Sequence, residues 1–197
     1  MKGLVSAIVV TYKAGDYLKA CLDSLKGQSY SPTEAILINN SASYDFYSRI
    51  KEILPGIKIY SSPDNLFYCG ALNKGIELSA GELILCLNDD VVLEKDFIKE
   101  VMRAFEIDER IGMASGKILR GDGRILDSTG LSLSIWRTPK ERGYGRRDRG
   151  QYDNPEYIFG VNGAVAFYRR SMLEDVKIVS DYFDADYLLK FFGILWT

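Results

Sequence analysis

Leu83-Ile84-Leu85-Cys86-Leu87-Asn88-Asp89-Asp90 reads as a buried strand that ends on two carboxylates. An apolar run with no polar face must be covered on both sides, as in a parallel sheet flanked by helices. Open α/β sheets bind ligands outside the carboxyl ends of such strands. Adjacent carboxylates there repel each other unless a cation sits between them, and hard oxygen ligands select Mg²⁺ or Mn²⁺ over soft metals. Asp90 and Asp89 are therefore the candidate metal ligands. The bland alternative is a solvated turn opening a helix, because Glu94 and Asp96 follow and acids favour a first helical turn.

Upstream, the same signal repeats. Leu4 to Val10 is a β-branched run ending at Thr11-Tyr12, and Tyr17, Leu18, Cys21, Leu22 and Leu25 then share one helical face. Ala35 to Ile38 is a second strand ending at Asn39-Asn40-Ser41, with Phe46, Ile50 and Ile53-Leu54 marking a helix closed by Pro55-Gly56. Ile57 to Tyr60 is a third strand, and Ala71 to Leu78 a helix that Gly81 is expected to end. This alternation predicts an α/β three-layer sandwich with a mainly parallel sheet and right-handed crossovers. Thr11-Tyr12, Asn39-Asn40, Asp64-Asn65 and Asn88 to Asp90 then gather along one edge.

Downstream, Phe97 to Phe105 reads as a helix, Gly112 to Leu119 as a strand, and Ile125 to Ile135 as a strand or hairpin arm. Trp136 to Asn154 is polar and rich in Gly and Arg, a length without periodicity that is usually functional or mobile. Val161 to Tyr168 is a strand carrying Asn162-Gly163-Ala164, and Ser171 to Val176 gives one or two helical turns. No linker divides the chain, so residues 1–197 are expected to form one domain. A 1–118 half and a 119–197 half are distinguished within it, and the second is expected to extend the same sheet.

Composition narrows the function classes. With 197 residues, 47% of them apolar, the chain can bury a substantial core. A net charge of −2 supplies no global field for nucleic acid or a membrane, so charged partners must be read by a local patch. The chain lacks histidine, which removes Ser-His and Cys-His nucleophiles and His-containing metal sites. Cys21, Cys69 and Cys86 sit among apolar residues and are expected to be buried thiols. With no signal-like opening and no apolar run of spanning length, the protein is expected to be cytoplasmic or peripheral to the inner face of a membrane.

The order of motifs resembles family 2 of the inverting nucleotide-sugar glycosyltransferases, with the GT-A fold, and within it the rhamnosyltransferase-like branch. Ile8-Val9-Val10-Thr11-Tyr12 looks like that family's first strand, and Leu37-Ile38-Asn39-Asn40-Ser41 like its uridine-side strand end. Asn65-Leu66-Phe67-Tyr68-Cys69-Gly70-Ala71-Leu72-Asn73-Lys74-Gly75 is similar to its Asn-x-Gly-Phe-Ala-Gly-Gly-x-Asn-x-Gly loop and helix start. Leu87-Asn88-Asp89-Asp90-Val91 matches its Asp-x-Asp-like metal signature, and a weaker match runs from Val161-Asn162-Gly163-Ala164 to Phe183-Asp184.

The resemblance implies transfer of a sugar, with inversion, from a UDP- or dTDP-sugar to a saccharide or lipid-linked acceptor, in polysaccharide or cell-wall assembly. It casts Asp90 as ligand of Mg²⁺ or Mn²⁺, with Asn88 or Asp89 acting directly or through water. Thr11 and Tyr12 would line the base and ribose pocket. Asn39 stands where the family has Asp to accept from the base N3–H, and Asn40 adjoins it; an amide carbonyl still accepts, without charge. Asn65, Gly70 and Asn73 would let the backbone approach the nucleotide, or else serve only as caps and turn residues.

The chain departs from the family near its end. The family continues from Phe-Asp-Glu to a Glu-Asp pair whose carboxylate deprotonates the acceptor, whereas Phe192-Gly193 occupies that place here. Asp184 or Asp186 is then the candidate catalytic base. Otherwise the chain is a truncated or altered member that binds nucleotide sugar, or serves assembly, with impaired catalysis. Phe191, Phe192, Ile194, Leu195 and Trp196 form an apolar terminus expected to make a homodimer contact or dock on a membrane. Arg137, Lys140, Arg142, Arg146, Arg147 and Arg149 form a flexible basic loop that either closes on a diphosphate, meets an anionic lipid-linked acceptor, or is simply solvated. A nucleic-acid partner is not expected, because no recognition module accompanies this charge. Sugar-phosphate nucleotidyl transfer is the competing enzyme class, but the Gly-rich, basic first loop it needs is absent after Val10.

Overall fold

The first strand, β1 (Val5–Thr11), is buried along its whole length, because alternate side chains enter two different cores. The computed structural model describes residues 3–12, 15–41 and 47–185. After β1 come α1 (Asp16–Lys26), β2 (Thr33–Asn39), α2 (Tyr47–Ile53), β3 (Lys58–Ser61), α3 (Phe67–Glu77), β4 (Leu83–Asn88) and α4 (Phe97–Ile107). The second half adds β5 (Met113–Ala114), β6 (Ile118–Leu119), β7 (Leu126–Ser128), β8 (Leu131–Leu133), β9 (Pro139–Glu141), β10 (Val165–Arg169) and α5 (Arg170–Val176).

The main sheet has the order β3-β2-β1-β4-β10-β5. β1, β2, β3 and β4 are parallel, and β10 runs antiparallel to β4 and β5. Successive side chains of a strand point to opposite faces. Val5, Ala7 and Val9 therefore join Leu18, Cys21 and Leu22 of α1, Ile50 of α2, and Ile98, Val101 and Phe105 of α4 in one core. Ile8 and Val10 join Ala71, Leu72 and Ile76 of α3 and Leu173 of α5 in the other. Each fully buried aliphatic side chain contributes about 1.5–3 kcal/mol, so the two cores hold the strand ends in a fixed register.

Two glycines set close approaches. A Cβ on Gly75 would lie 2.3 Å from Ile8 Cγ2, so α3 can sit down on β1 only because that residue has no side chain. A Cβ on Gly81 would meet the Leu4 carbonyl and the Ser6 amide at 2.7 Å. Gly81 was expected to stop α3, but the helix ends at Glu77, and the tight seam with β1 is what excludes a larger residue.

Three further expectations change. α3 begins at Phe67 rather than Ala71, so the loop similar to the family motif is itself the first helical turn. The run Gly112 to Leu119 is two short strands, because the chain turns out of the main sheet at Gly116, where a Cβ would be 2.6 Å from the Phe97 ring. Beyond β4 only β5 and β10 extend that sheet, and of these only β10 belongs to the 119–197 half; β6–β7 and β8–β9 form separate antiparallel ladders. Gly130, at φ 97°, divides β7 from β8 where one arm was expected. The basic stretch is also more organised than a flexible loop: Arg142 stacks on Tyr152 and pairs with Glu156. Phe46 and the apolar terminus lie outside the described residues. Among the described residues no helix is long and apolar enough to cross a membrane.

Candidate active site

The parallel strands end level with one another. Thr11 is in register with Asn39, Asn39 with Ser61, and Val10 with Asn88. Chain order reverses between β1 and β4, so the ends of these two strands form a topological switch point, the place where open α/β sheets bind ligands. Thr11 and Asp89 face each other across it, and the Thr11 hydroxyl donates to Asp89 Oδ2 at 2.5 Å. Asp89 is half-buried and Asp90 exposed. The pair thus offers one carboxylate anchored to β1 and one open to solvent.

On the β2 side Asn39 and Asn40 are buried. Asn39 Oδ1 accepts from the Ser41 amide at 3.1 Å and the Ser41 hydroxyl at 2.9 Å, while its Nδ2 donates to Ser61 Oγ at 2.9 Å. Asn40 reaches the other way: its Oδ1 accepts from the Leu66 amide at 3.3 Å, and its Nδ2 donates to the Phe67 carbonyl at 3.1 Å. Asn65 Oδ1 accepts from the Phe67 amide at 2.8 Å. These bonds hold Phe67 at φ 53°, a left-handed conformation that costs a bulky residue about 1–2 kcal/mol. Tyr12 and Phe67, each about half exposed (52% and 51%), are the aromatic surface along this side.

Gly70 lies in the first turn of α3, where a Cβ would meet only the Leu66 side chain, at 3.3 Å. Asn73, one turn on, spends both amide atoms on Phe183: Nδ2 donates to its carbonyl at 2.8 Å and Oδ1 accepts from its amide at 2.9 Å. That reciprocal pair brings the chain just before Asp184 onto α3. Asp186, the other candidate base, lies outside the described residues.

The far flank is built by β10. Val165 is in register with Leu87, and the Asn88 amide donates to the Ala164 carbonyl at 3.0 Å. The Tyr68 hydroxyl donates to the Gly163 carbonyl at 2.5 Å, tying α3 to the same segment. Asn162 Oδ1 accepts from the Ala164 amide at 2.8 Å, and its Nδ2 donates to Glu141 Oε1 at 2.8 Å. Ser128 donates to the other oxygen of Glu141. Glu141, an acid within the basic stretch, is thus held by two neutral side chains, a pairing over 13 and 21 residues that no local pattern in the sequence reveals.

All three cysteines are buried free thiols, as expected. Cys21 lies under the site, with Sγ 3.5 Å from the Asn88 carbonyl, and burial followed by the Asp89 and Asp90 charges pushes its thiol up to about 12. It is a packing residue there and no nucleophile. Among the described residues no three acidic or cysteine side chains gather as a ready-made metal cage. Mg²⁺ sites commonly use one or two carboxylates and complete the shell with water and substrate phosphate. The anchored and open carboxylates of Asp89 and Asp90 fit that donor set.

The sequence pattern described as Glycosyl transferase family 2 matches residues 6–177. An uncharacterized glycosyltransferase of Haemophilus influenzae is 28% identical over 142 residues, covering 69% of this chain and 44% of that protein. Poly-beta-1,6-N-acetyl-D-glucosamine synthase of Staphylococcus epidermidis is 23% identical over 194 residues, 98% of this chain and 45% of that protein. The chain therefore spans under half the length of these curated relatives. Among solved structures, the mannosyltransferase PcManGT from Pyrobaculum calidifontis, in complex with GDP-Man and Mn²⁺, aligns with a TM-score of 0.62 at 18% identity over 89% of this chain and 47% of that one. S. aureus TarS 1-349 in complex with UDP aligns at 0.62 and 19% identity, over 89% and 48%. The fold they share with this chain is GT-A.

Proposed function

The chain belongs to glycosyl transferase family 2, and on that premise we propose that its strand-end edge binds a nucleotide-diphosphate sugar and passes the sugar to an acceptor hydroxyl with inversion. The observation that carries this reading is the Thr11–Asp89 bond across the switch point. It presets one carboxylate where a diphosphate would lie, and Asp90 stands free beside it. Asp89 and Asp90 would hold Mg²⁺ or Mn²⁺, which would supply Lewis-acid neutralisation of the departing diphosphate.

In this reading Thr11, Tyr12, Asn39 and Asn40 line the base and ribose side, and Asn88 adjoins the diphosphate. Asn65, Gly70 and Asn73 act by shaping the first turn of α3, since the two amide side chains are bonded to backbone groups of this chain. Asp184, delivered by the Asn73–Phe183 pair, is the base that takes the acceptor proton when the hydroxyl attacks the anomeric carbon. Residues 1–118 supply donor binding and 119–197 the acceptor side. The motif order supports the rhamnosyltransferase-like branch, a UDP- or dTDP-linked donor and an acceptor in polysaccharide assembly. Phe192-Gly193, in place of the family's acidic pair, favours a second reading in which donor binds and transfer is slow.

A thermal-shift screen of uridine, thymidine and guanosine diphosphates, each with Mn²⁺ or chelator, tests donor binding, since stabilisation grows with the logarithm of ligand over Kd. Metal-dependent stabilisation that disappears in Asp90→Asn is expected. A shift that is the same in chelator, or in Asp90→Asn, refutes the site. Donor hydrolysis and transfer measured alongside separate the enzyme from the binding module.

A further inference from the structure

The turn after β9 presents an open depression of about 270 Å³ lined by Arg146, Arg147, Arg149 and Gln151. Its backbone is fixed. The Leu126 amide donates to the Arg146 carbonyl at 2.8 Å, the Asp148 amide to the Arg124 carbonyl at 2.8 Å, and Arg147 forms a bridge with Ile125. Gln151 clasps the same turn, donating from Nε2 to the Arg147 carbonyl at 2.9 Å and accepting from the Arg149 amide at 2.6 Å. The three arginine side chains thus stand on a backbone pinned to β7.

Their charge is uncompensated although acids are close by. Lys117 Nζ takes both Asp148, at 2.8 Å, and Asp153, at 2.5 Å. Asp127 faces Arg120 at 3.4 Å, Glu156 pairs with Arg142, and Glu141 is held by Ser128 and Asn162. Asp122 caps its own turn through the Arg124 and Ile125 amides. Every acid between residues 119 and 160 is therefore engaged elsewhere. Among the described residues, the guanidinium groups of Arg146, Arg147 and Arg149 have no hydrogen-bond or ion-pair partner. In a chain of net charge −2 this is a local positive field with nothing of the protein's own to satisfy it.

We propose that Arg146, Arg147 and Arg149 form a site for phosphate oxyanions, distinct from the strand-end edge. A guanidinium fork matches phosphate oxygens two at a time, and three forks around one depression suit a diphosphate or a cluster of phosphodiester groups. The phosphate comes either from a soluble phosphorylated compound or from the head groups of a lipid surface. The site stands independently of donor binding, because it contains no metal ligand.

The test uses the full chain in chelator, so that the strand-end carboxylates bind no metal. Inorganic diphosphate is titrated while amide resonances of residues 145–151 are followed, and sedimentation is measured with phosphatidylcholine vesicles, with and without phosphatidylglycerol. Arg146→Gln/Arg147→Gln/Arg149→Gln is the test variant, and Arg146→Glu alone is a second one should the triple change melt early. We expect binding that weakens with added salt and drops about tenfold or more in either variant. Diphosphate binding alone assigns the soluble source, and capture by anionic vesicles alone assigns the lipid source. No binding by either probe, or binding undiminished in both variants, overturns the site.

Discussion

The Thr11 hydroxyl and the Asp89 carboxylate, 78 residues apart in sequence, meet at 2.5 Å where β1 and β4 end. A hydrogen bond to a charged group is worth about 1.5–3 kcal/mol, and less where the carboxylate is partly solvated, as here. Thr11→Val should leave the fold intact and weaken Mn²⁺-dependent nucleoside diphosphate binding by about fivefold, the equivalent of ~1 kcal/mol. Thr11→Ser should restore it. Isothermal titration decides the matter; wild-type affinity in Thr11→Val would mean that Asp89 needs no anchor.

Glu34 links three elements far from the site. Its Oε1 accepts from Ser6 Oγ at 2.5 Å and from the Ala80 amide at 2.6 Å, and its Oε2 from Lys58 Nζ at 2.8 Å. Burial alone would raise the carboxyl, but the bonds from Lys58, Ser6 and Ala80 hold it down at about 2. A depressed folded value means that the ionised form stabilises the protein above the ordinary carboxylate range, and that this stability fades as pH falls toward 2. Lys58 is largely exposed, so screening trims the effect to about 2 kcal/mol. In urea melts, Glu34→Gln should lose that much at neutral pH and show a flatter decline between about pH 5 and 2. Parallel pH curves for the two proteins would contradict this account.

Asn73 and Phe183 exchange two hydrogen bonds, and the reading given to Asp184 depends on them. Asn73→Ala should cost about 1–2 kcal/mol in stability. It should also slow transfer by about tenfold through misplacement of the base, with nucleotide affinity nearly unchanged. If affinity and rate fall together, the Asn73 side chain touches the donor directly.

Phe67 occupies the position of a glycine in the similar family loop and carries a positive φ. Phe67→Gly should relieve about 1 kcal/mol of backbone strain and raise Tm by about 2–4 °C. Because the ring stands half exposed beside the base-side asparagines, its loss should weaken donor binding about fivefold, the equivalent of a ~1 kcal/mol stacking contact. A variant that is more stable and binds equally well would show that the aromatic ring serves nothing at this edge.

The parallel half of the fold was legible because Ile8, Ile36 and Ile84 sit in apolar runs too short for helices and too continuous for a one-sided sheet. The edge was legible for the same reason, since each run stops on a polar residue. Residues 115–164 were opaque. Their short ladders bury few side chains, so Ile118, Leu131 and Leu133 leave no clear period, and the turns rest on hydrogen bonds such as Asn162 to Glu141 that join residues 21 apart. Gly81 misled because a glycine after a helix reads as a stop signal, whereas its neighbours in space are Ser6 and Leu4.

β5 and β10 lie side by side, with Ala114 paired to Phe167 and the Ser115 hydroxyl on the Val165 carbonyl at 2.9 Å. The chain therefore departs for residues 115–164 and comes home through one narrow neck. A segment that leaves and re-enters between two paired strands can change length at its outer turns while the neighbouring parallel strands keep their alignment. On the proposed assignment of the acceptor side to residues 119–197, acceptor choice and donor capture can diversify on separate evolutionary clocks, and a chimera that exchanges the outer turns of this segment tests that assignment.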